Sequence, residues 1–189
     1  KGNVKPGETV LIIGPGSQGL ATVMAVDNVG AGQIILAGTS VDKDRLELGR
    51  EFGANYTVNV DELNLQDSVS DLTSGDMADV VILTTGAVKA IANATKLVKS
   101  LGTIVLPGLT GGKTAPIPTD EIVTKELKIL GGLGQAWNVE AAIKLLEKQK
   151  YPVNKMATHI LPLEEAERGL KLAANEIEGE APIKVVLTP

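Results

Sequence analysis

Three glycines lie between two apolar runs in the segment TVLIIGPGSQGLATVM, at positions 14, 16 and 19. The pattern G-x-G-x-x-G, between a strand and a helix, is suited to binding the pyrophosphate of a dinucleotide. Gly14 would allow a tight turn, Gly16 would let the phosphates approach the backbone, and Gly19 would let the helix pack against the strand. The backbone N–H groups of Ser17, Gln18 and Gly19 would then face the phosphates. A glycine-rich turn without a ligand is the alternative, but the regular strand and helix pattern around the motif favours dinucleotide binding.

The second part of a dinucleotide site is an acid about 20 residues further on, which binds the ribose 2′-OH. The segment ILAGTSVDKDR reaches this place with the neutral residues Thr39 and Ser40, and Asp42 fits the N-cap of the next helix. The usual repulsion of a 2′-phosphate is therefore missing. Thr39 and Ser40 could hydrogen-bond such a phosphate, and Lys43 or Arg45 could attract it. The pattern favours NADP over NAD, while NAD or the use of both stays open if Lys43 and Arg45 are only solvated helix residues.

The elements that must position these residues alternate between strand and helix patterns. Short apolar or β-branched runs predict strands at 9–13, 33–37, 56–59, 79–83, 103–106, 128–130, 158–161 and 183–187. Amphipathic runs predict helices at 20–29, 42–52, 65–73, 88–98, 119–127, 139–147 and 163–174. This alternation predicts an α/β fold, a doubly wound parallel sheet of Rossmann type with strand order 3-2-1-4-5-6. In such a sheet the ligand binds at the carboxyl ends of the first and fourth strands.

The composition agrees with this fold and argues against several kinds of site. The chain of 189 residues is 43% hydrophobic and only 2% aromatic, which suits a core of aliphatic strands. Its formal net charge of −5 and the lack of a Lys/Arg cluster argue against nucleic acid as a partner. The chain has no Cys and a single His, His159, so we predict no metal site and no thiol chemistry. No apolar run is long enough to cross a membrane, and we predict a cytoplasmic location.

Six motifs follow one another in a characteristic order. They are VKPGETVLIIGPGSQGL, DKDRLELGREFGAN, ADVVILTTG, LGTIVLPG, KELKILGG and LPLEEAERGLKLA with IKVVLTP. Their order and spacing resemble the medium-chain dehydrogenase/reductase family, and within it the zinc-dependent alcohol and polyol dehydrogenases. The resemblance implies hydride transfer between an alcohol and NAD(P), with this chain positioning the nicotinamide. Two other interpretations stay open: a zinc-free quinone or enoyl reductase of the same family, and a non-enzymatic Rossmann module that senses nicotinamide nucleotides.

The resemblance also implies a domain organisation. Family members begin with a GroES-like catalytic domain, which carries the zinc ligands and most of the substrate pocket, and we expect this domain to be absent here. Residues 1–157 are predicted to be the NAD(P)-binding Rossmann domain, and 158–189 a C-terminal segment of the catalytic half whose last strand lacks its partners. We expect zinc only in the absent domain, so that this chain alone binds cofactor but is inactive. Family members commonly dimerise edge to edge, which implies a homodimer through the strand at 128–132.

The resemblance assigns cofactor contacts residue by residue. The pyrophosphate loop matches Gly14, Gly16, Ser17, Gln18 and Gly19, and the adenosine side matches Ser40 and Arg45, beside Thr39. Thr84, Thr85 and Gly86 should line the crevice between the adenine ribose and the nicotinamide. Pro107, Gly108 and Leu109 should hold the nicotinamide carboxamide through backbone groups. Ser40 stands where NAD-preferring members have their ribose-binding acid, and no catalytic residue or metal ligand is assigned to this chain.

Three other features have a simpler structural interpretation. Tyr151 and Lys155 have the Y-x-x-x-K spacing of short-chain dehydrogenases, but Pro152 indicates a turn rather than a shared helical face. His159 is expected to pack at a strand edge. Trp137 is expected in the core or an interface, although proximity to the cofactor stays open. We therefore predict that the Y-x-x-x-K spacing arises by chance and that His159 has no catalytic role.

Overall fold

A computed structural model describes residues 1–134 and 138–189 of the chain. The strands are β1 (Thr9–Ile13), β2 (Gln33–Gly38), β3 (Tyr56–Asn59), β4 (Ala78–Leu83), β5 (Val98–Leu106), β6 (Lys128–Gly131), β7 (Ala157–Pro162) and β8 (Lys184–Thr188). The α-helices are α1 (Ser17–Val29), α2 (Lys43–Glu51), α3 (Leu65–Leu72), α4 (Val88–Leu97), α5 (Thr119–Thr124), α6 (Val139–Glu147) and α7 (Ala166–Ala173). Strand and helix therefore alternate along most of the chain, as the apolar periodicity predicts.

Six parallel strands form one sheet in the order β3-β2-β1-β4-β5-β6, so the predicted order 3-2-1-4-5-6 is confirmed. The chain runs outward from β1 to β3 and then returns to the centre, where β4 pairs directly with β1. The direction of the strand order reverses between β1 and β4. In a doubly wound sheet this reversal opens a crevice at the carboxyl ends of the two central strands.

Helices cover both faces of this sheet. Residues 10–12 of β1 are completely buried, because the strand is packed on its two sides. On one face, Leu20 of α1 and Phe52 after α2 belong to one core cluster. On the other face, Val69 of α3 and Ile91 of α4 belong to a second cluster. With both faces covered, a ligand has access to this sheet only at its edges and at the strand ends.

Three helices, α1, α2 and α7, start at places that differ from the prediction. α1 begins at Ser17 instead of residue 20, so the glycine motif itself contributes the first helical turn. A 3-10 turn at Ser40–Asp42 precedes α2. A second 3-10 turn, at Leu163–Glu165, precedes α7 and occupies the first residues of that predicted helix. The hydrophobic periodicity predicts these helices but not their first turns, because apolar spacing alone does not mark the residue at which a helix begins.

β5 is longer than predicted and contains an irregularity. Its first residue, Val98, pairs with Ala78, and the register then shifts so that Thr103 pairs with Val80. Leu101, inside the shifted stretch, has a φ of 63°. The predicted strand began at 103 because the polar stretch before it interrupts the apolar run.

The C-terminal residues form a separate small unit. β7 and β8 pair in parallel as a two-stranded sheet, with Ile160 opposite Val186, and α7 packs on β8. The expectation that the last strand lacks its partners is therefore wrong, because β7 supplies one. The division into 1–157 and 158–189 stays a prediction, and its boundary falls at the first residue of β7.

Candidate functional site

Most of the predicted site residues lie along one edge of the sheet, at the carboxyl ends of its strands. The strands β2, β1, β4 and β5 are consecutive neighbours and parallel, so the turns that follow them form one row. This row contains Gly14, Gly16, Ser17, Gln18 and Gly19 after β1, Thr39 and Ser40 after β2, Thr84, Thr85 and Gly86 after β4, and Pro107, Gly108 and Leu109 after β5. The structure thus brings together residues that are up to about 95 positions apart in the sequence.

The three glycines of the first turn differ in what surrounds them. Gly14 has a φ of 103°, in the region that side chains rarely adopt, and its N–H donates to the Ala37 carbonyl oxygen at 2.9 Å. A Cβ on Gly19 would overlap the Gly14 carbonyl oxygen, so α1 packs directly on the turn. A Cβ on Gly16 would meet no atom within 4 Å, and the φ of Gly16 is −67°. The fold therefore explains glycine at 14 and 19 but not at 16.

The amino end of α1 opens into the space above Gly16. Gly16 is the N-cap, no side chain caps this end, and the first turn contains no acidic residue. The first N–H groups of a helix have no intrahelical acceptor, and the helix dipole makes this end positive. The helix is 13 residues long, so its dipole is well developed. An anion can therefore bind here through the backbone of Ser17, Gln18 and Gly19.

Thr84 holds the first turn in place from the neighbouring strand. Its hydroxyl oxygen lies 2.6 Å from the Gly14 carbonyl oxygen and 3.0 Å from that of Ile13, and its N–H donates to Ile13 at 3.0 Å. The hydroxyl proton is thus used inside the protein. Thr84 lies where the sequence predicts, but its hydroxyl supports the glycine turn rather than pointing freely into the crevice.

The loops after β4 and β5 approach each other so closely that two predicted residues must be glycine. A Cβ on Gly86 would overlap the carbonyl oxygen of Leu109, and one on Gly108 would overlap the carbonyl group of Thr85. Gly108 also donates its N–H to the Leu83 carbonyl oxygen at 3.2 Å. The side chain of Leu109 stays 81% exposed beside this junction. The two loops therefore form one packed wall with an apolar side chain at its surface.

The second turn, after β2, uses its polar groups internally. The N–H and the hydroxyl of Thr39 both donate to one carboxylate oxygen of Asp42, at 3.0 and 2.8 Å. Arg45 donates to the other Asp42 oxygen and to the Pro182 carbonyl oxygen, both at 2.7 Å. Asp42 is only 8% exposed, so this ion pair is largely shielded from water. Thr39 and Arg45 therefore both contact Asp42, whereas Lys43 is exposed, and their predicted contacts with a phosphate stay a prediction.

Asp61 belongs to this region, although no motif of the sequence indicates it. Its carboxylate accepts the Ser40 N–H at 2.7 Å. This hydrogen bond, with a further one from the Ser40 side chain, lowers the pKa of Asp61 below its ordinary value. The pairing of β2 with β3 could have indicated this contact. Gly38 lies opposite Asn59, and two residues further along the chain from each of them come Ser40 and Asp61.

The residues of the Y-x-x-x-K spacing do not meet. Tyr151 donates its hydroxyl proton to Asp27 at 2.5 Å, and Lys155 donates to Glu51 at 2.5 Å. Burial, together with the bond to Asp27, raises the pKa of Tyr151. A raised pKa is the opposite of what a tyrosine base needs. Tyr151 and Lys155 therefore connect the C-terminal part of the chain to α1 and α2.

The two other singled-out residues have different outcomes. His159 lies in β7, where its ring nitrogens are 3.0 Å from the Thr158 hydroxyl and 3.0 Å from a Glu180 carboxylate oxygen. These contacts agree with the predicted packing role at a strand. Trp137 lies outside the described residues.

Residues 1–134 and 138–189 contain no group of three or more His, Asp or Glu side chains that could hold a metal ion. The same residues contain no helix with the length and apolar character needed to cross a bilayer. A cavity of about 770 Å³ lies at the opposite, amino-end edge of the sheet, where Asp79 pairs with Lys99. Its lining mixes lysines with acids and includes none of the predicted site residues. The predicted site, at the carboxyl ends of the strands, is thus separate from this cavity.

Comparison with known proteins gives the same family along most of the chain. The family model described as zinc-binding dehydrogenase matches residues 19–148. A Mycobacterium tuberculosis protein named "Probable alcohol dehydrogenase adh" is 40% identical, covering 98% of this chain and 52% of that protein. A sorbitol dehydrogenase of Halalkalibacterium halodurans is 31% identical, covering 100% of this chain and 54% of that protein. The chain spans about half the length of these relatives.

Solved structures agree with the sequence comparison. The alcohol dehydrogenase TADH of Thermus sp. ATN1 matches with a TM-score of 0.89 and 26% identity, over 100% of this chain and 53% of its own. A structure from Sinorhizobium meliloti 1021, described as a zinc-binding dehydrogenase and bound to NADP, matches with a TM-score of 0.88 and 26% identity, over 100% and 54%. The predicted resemblance is confirmed: the chain belongs to the zinc-binding dehydrogenases of the medium-chain dehydrogenase/reductase family.

Proposed function

We propose that this chain is the NAD(P)-binding half of an alcohol or polyol dehydrogenase and that the turn after β1 binds the cofactor pyrophosphate. The observation that carries the proposal is the unfilled space above Gly16, at the amino end of α1. No contact within the protein requires residue 16 to be glycine. A ligand that must approach the backbone closely at this position explains the glycine better than the fold does. The names of the relatives, alcohol and sorbitol dehydrogenases, support the reaction class.

The residues of the first turn fit a pyrophosphate. Ser17, Gln18 and Gly19 offer backbone N–H groups at a positive helix end, and Gly16 adds no side chain between them and the ligand. The Thr84 hydroxyl bonds the Gly14 carbonyl oxygen at 2.6 Å and so helps to hold the backbone of the turn in one conformation. The chain would thus hold the cofactor by backbone geometry, which loses little conformational entropy on binding.

The nicotinamide end would lie against the loops after β4 and β5. We propose that Pro107, Gly108 and Leu109 hold the carboxamide through backbone groups, with Thr85 and Gly86 forming the facing wall. The packed junction of these loops supports this role, because it fixes their backbone before a ligand arrives. A bound nicotinamide supplies or accepts a hydride. The exposed Leu109 side chain would give the ring an apolar surface and exclude water from one side.

The preference for NADP stays a prediction that rests on the neutral residues Thr39 and Ser40. The Sinorhizobium meliloti neighbour is bound to NADP. Against this prediction stand the internal contacts of Thr39 and Arg45 with Asp42. The choice between the two cofactors therefore depends on what else lies beside Ser40.

Zinc, oligomeric state and location complete the proposal. The family description names zinc, and we propose that the zinc ligands lie in the part of the relatives that this chain does not match. β6 is the edge strand of the sheet, so its backbone N–H and C=O groups on one side are available for pairing with another strand. We propose a homodimer through residues 128–132.

A cytoplasmic location stays a prediction.

Calorimetric titration of the full chain with NADH and with NADPH tests the proposal. We expect saturable binding of at least one of them at a ratio of one per chain. Titration with inorganic pyrophosphate at the same ionic strength controls for attraction of any anion and should give much weaker binding. The absence of binding by both dinucleotides would contradict the proposed function.

A further inference from the structure

Asp61 places a carboxylate beside the point where β2 ends. β3 pairs with β2 so that Asn59 lies opposite Gly38, and Val60 donates its N–H to the Gly38 carbonyl oxygen at 2.9 Å. The two chains continue side by side past the sheet. Asp61 consequently receives the Ser40 N–H at 2.7 Å, although the two residues are 21 positions apart.

The rest of the β3 end also turns toward Ser40. Asn59 donates from its amide to the Ser40 hydroxyl oxygen at 3.1 Å and to Glu62 at 2.7 Å. The Asn59 side-chain oxygen receives the Asp61 N–H at 3.1 Å, which holds the Asp61 backbone in this turn. Both the N–H and the hydroxyl of Ser40 are thus engaged by residues that follow or end β3.

Charged groups of both signs surround Ser40, and a carboxylate is the one that contacts it directly. Asp61 and Glu62 are exposed carboxylates on one side. On α2, Arg45 is paired with Asp42 and donates to the Pro182 carbonyl oxygen, whereas Lys43 is exposed and has its charge in solvent. Lys89, at the start of α4, exerts an attraction on Asp61. The Ser40 hydrogen bonds and this lysine together keep the pKa of Asp61 below its ordinary value, so the carboxylate is ionised at neutral pH.

We propose that Asp61 is a specificity-determining residue that makes this site favour NAD over NADP, a role that rests on the proposed function. The acid that the dinucleotide fingerprint places at the end of the second strand is here supplied from the end of the third strand. One oxygen of Asp61 holds the Ser40 N–H. The other oxygen is the acceptor for a ribose 2′-OH. This reverses the preference that the neutral residues Thr39 and Ser40 predict.

The discrimination follows from charge and from hydrogen bonding. A 2′-phosphate carries a charge of about −1.5 to −2 at neutral pH and needs N–H or O–H donors. At Ser40 it would meet a carboxylate that already uses the N–H group, so binding requires displacing Asp61 against repulsion. A hydroxyl has a proton to donate to the same carboxylate, and it carries no charge. The same atoms therefore favour one cofactor and disfavour the other.

The test compares NADH and NADPH binding to the full chain and to Asp61→Asn by calorimetry at low and at physiological salt. Asn keeps an oxygen acceptor for the Ser40 N–H while removing the charge. We expect the wild type to bind NADH more tightly, and Asp61→Asn to gain about tenfold in NADPH affinity with a smaller loss for NADH. The gain should shrink as salt rises, because the repulsion is between exposed groups. Thermal unfolding checks that each variant is folded, and Asp61→Ser provides a second variant with the charge removed.

Glu62→Gln is the matched control, because it removes one charge from the next residue without touching the Ser40 N–H. It should change the NADPH affinity by clearly less than Asp61→Asn. Wild type that binds NADPH more tightly than NADH, or an NADPH affinity that Asp61→Asn leaves unchanged, would overturn the assignment of Asp61. An effect of Glu62→Gln as large as that of Asp61→Asn would also overturn it. These results leave the proposed function standing, whereas the absence of binding of both dinucleotides to wild type would contradict the proposed function itself.

Discussion

The turns after β1 and β2 hold equivalent places in the fold, since each joins a parallel strand to a helix, and α1 and α2 contribute to the same core cluster. Their backbone N–H groups differ. In the first turn Gly16 is the N-cap of α1, and no side chain caps the helix there. In the second turn the N–H groups of Thr39 and Ser40 donate to the carboxylates of Asp42 and Asp61. The N–H groups of the first turn can therefore donate to a ligand. Those of the second turn already donate to carboxylates of the protein.

This difference separates the requirements of the ligand from those of the fold. A turn whose polar groups all have hydrogen-bond partners within the protein is stable without a ligand, because no buried polar group is left without a partner. A turn that leaves a positive helix end uncapped gains most when an anion arrives. We therefore expect cofactor binding to stabilise the first turn more than the second, which should stay nearly unchanged.

The largest expected effect is the loss of stability on Gly19→Ala. The added Cβ would overlap the Gly14 carbonyl oxygen, which is backbone and cannot move aside without disturbing the turn. We expect the free energy of unfolding to fall by about 3 kcal/mol, measured by urea titration. Gly16→Ala, in the same turn, is the control, since its Cβ would meet no atom within 4 Å. A Gly19→Ala variant as stable as Gly16→Ala would show that α1 does not pack on the turn as described.

The second turn should depend on Asp42 for stability. Asp42→Ala removes the acceptor of both Thr39 donors and leaves the largely buried Arg45 without its partner. We expect a loss of about 2 kcal/mol in the free energy of unfolding, from the broken capping box and the unpaired charge. Asp44→Ala, an exposed acid in the first turn of α2, is the matched control and should cost less than about 1 kcal/mol. Equal costs for the two variants would contradict the internal bracing of this turn.

The sequence predicts the fold well because its signals are local. The apolar runs of β1 and β4 and the glycines between β1 and α1 each lie within a few neighbouring residues, so periodicity and spacing reveal them. The order of the strands then follows from the alternation of strands with helices. The predicted starts of α1 and α2, at residues 20 and 42, differ from the observed Ser17 and Lys43, because apolar periodicity does not mark the first turn of a helix.

The site could be predicted only in part, because its decisive contacts join distant residues. Gly14 and Gly19 are readable from the motif alone. The Asp61 bond to Ser40 spans 21 positions, and the Arg45 bond to Pro182 spans 137. No local pattern indicates that these pairs meet, since both contacts depend on strand pairing and on the docking of the C-terminal unit. The prediction for the second turn therefore identified the place but not the partners of its residues.

Gly16→Ala tests the central claim most directly, because Gly16 has no steric reason to be glycine within the protein. We expect its free energy of unfolding to lie within about 1 kcal/mol of wild type, the cost of a poorer N-cap residue. In the same samples, calorimetry should record a loss of at least about tenfold in NADH affinity, since the Cβ would stand between the pyrophosphate and the backbone. Gly131→Ala, equally free of contacts, should bind NADH as wild type does. Unchanged NADH affinity in a folded Gly16→Ala variant would contradict the claim that the space above Gly16 is the cofactor site.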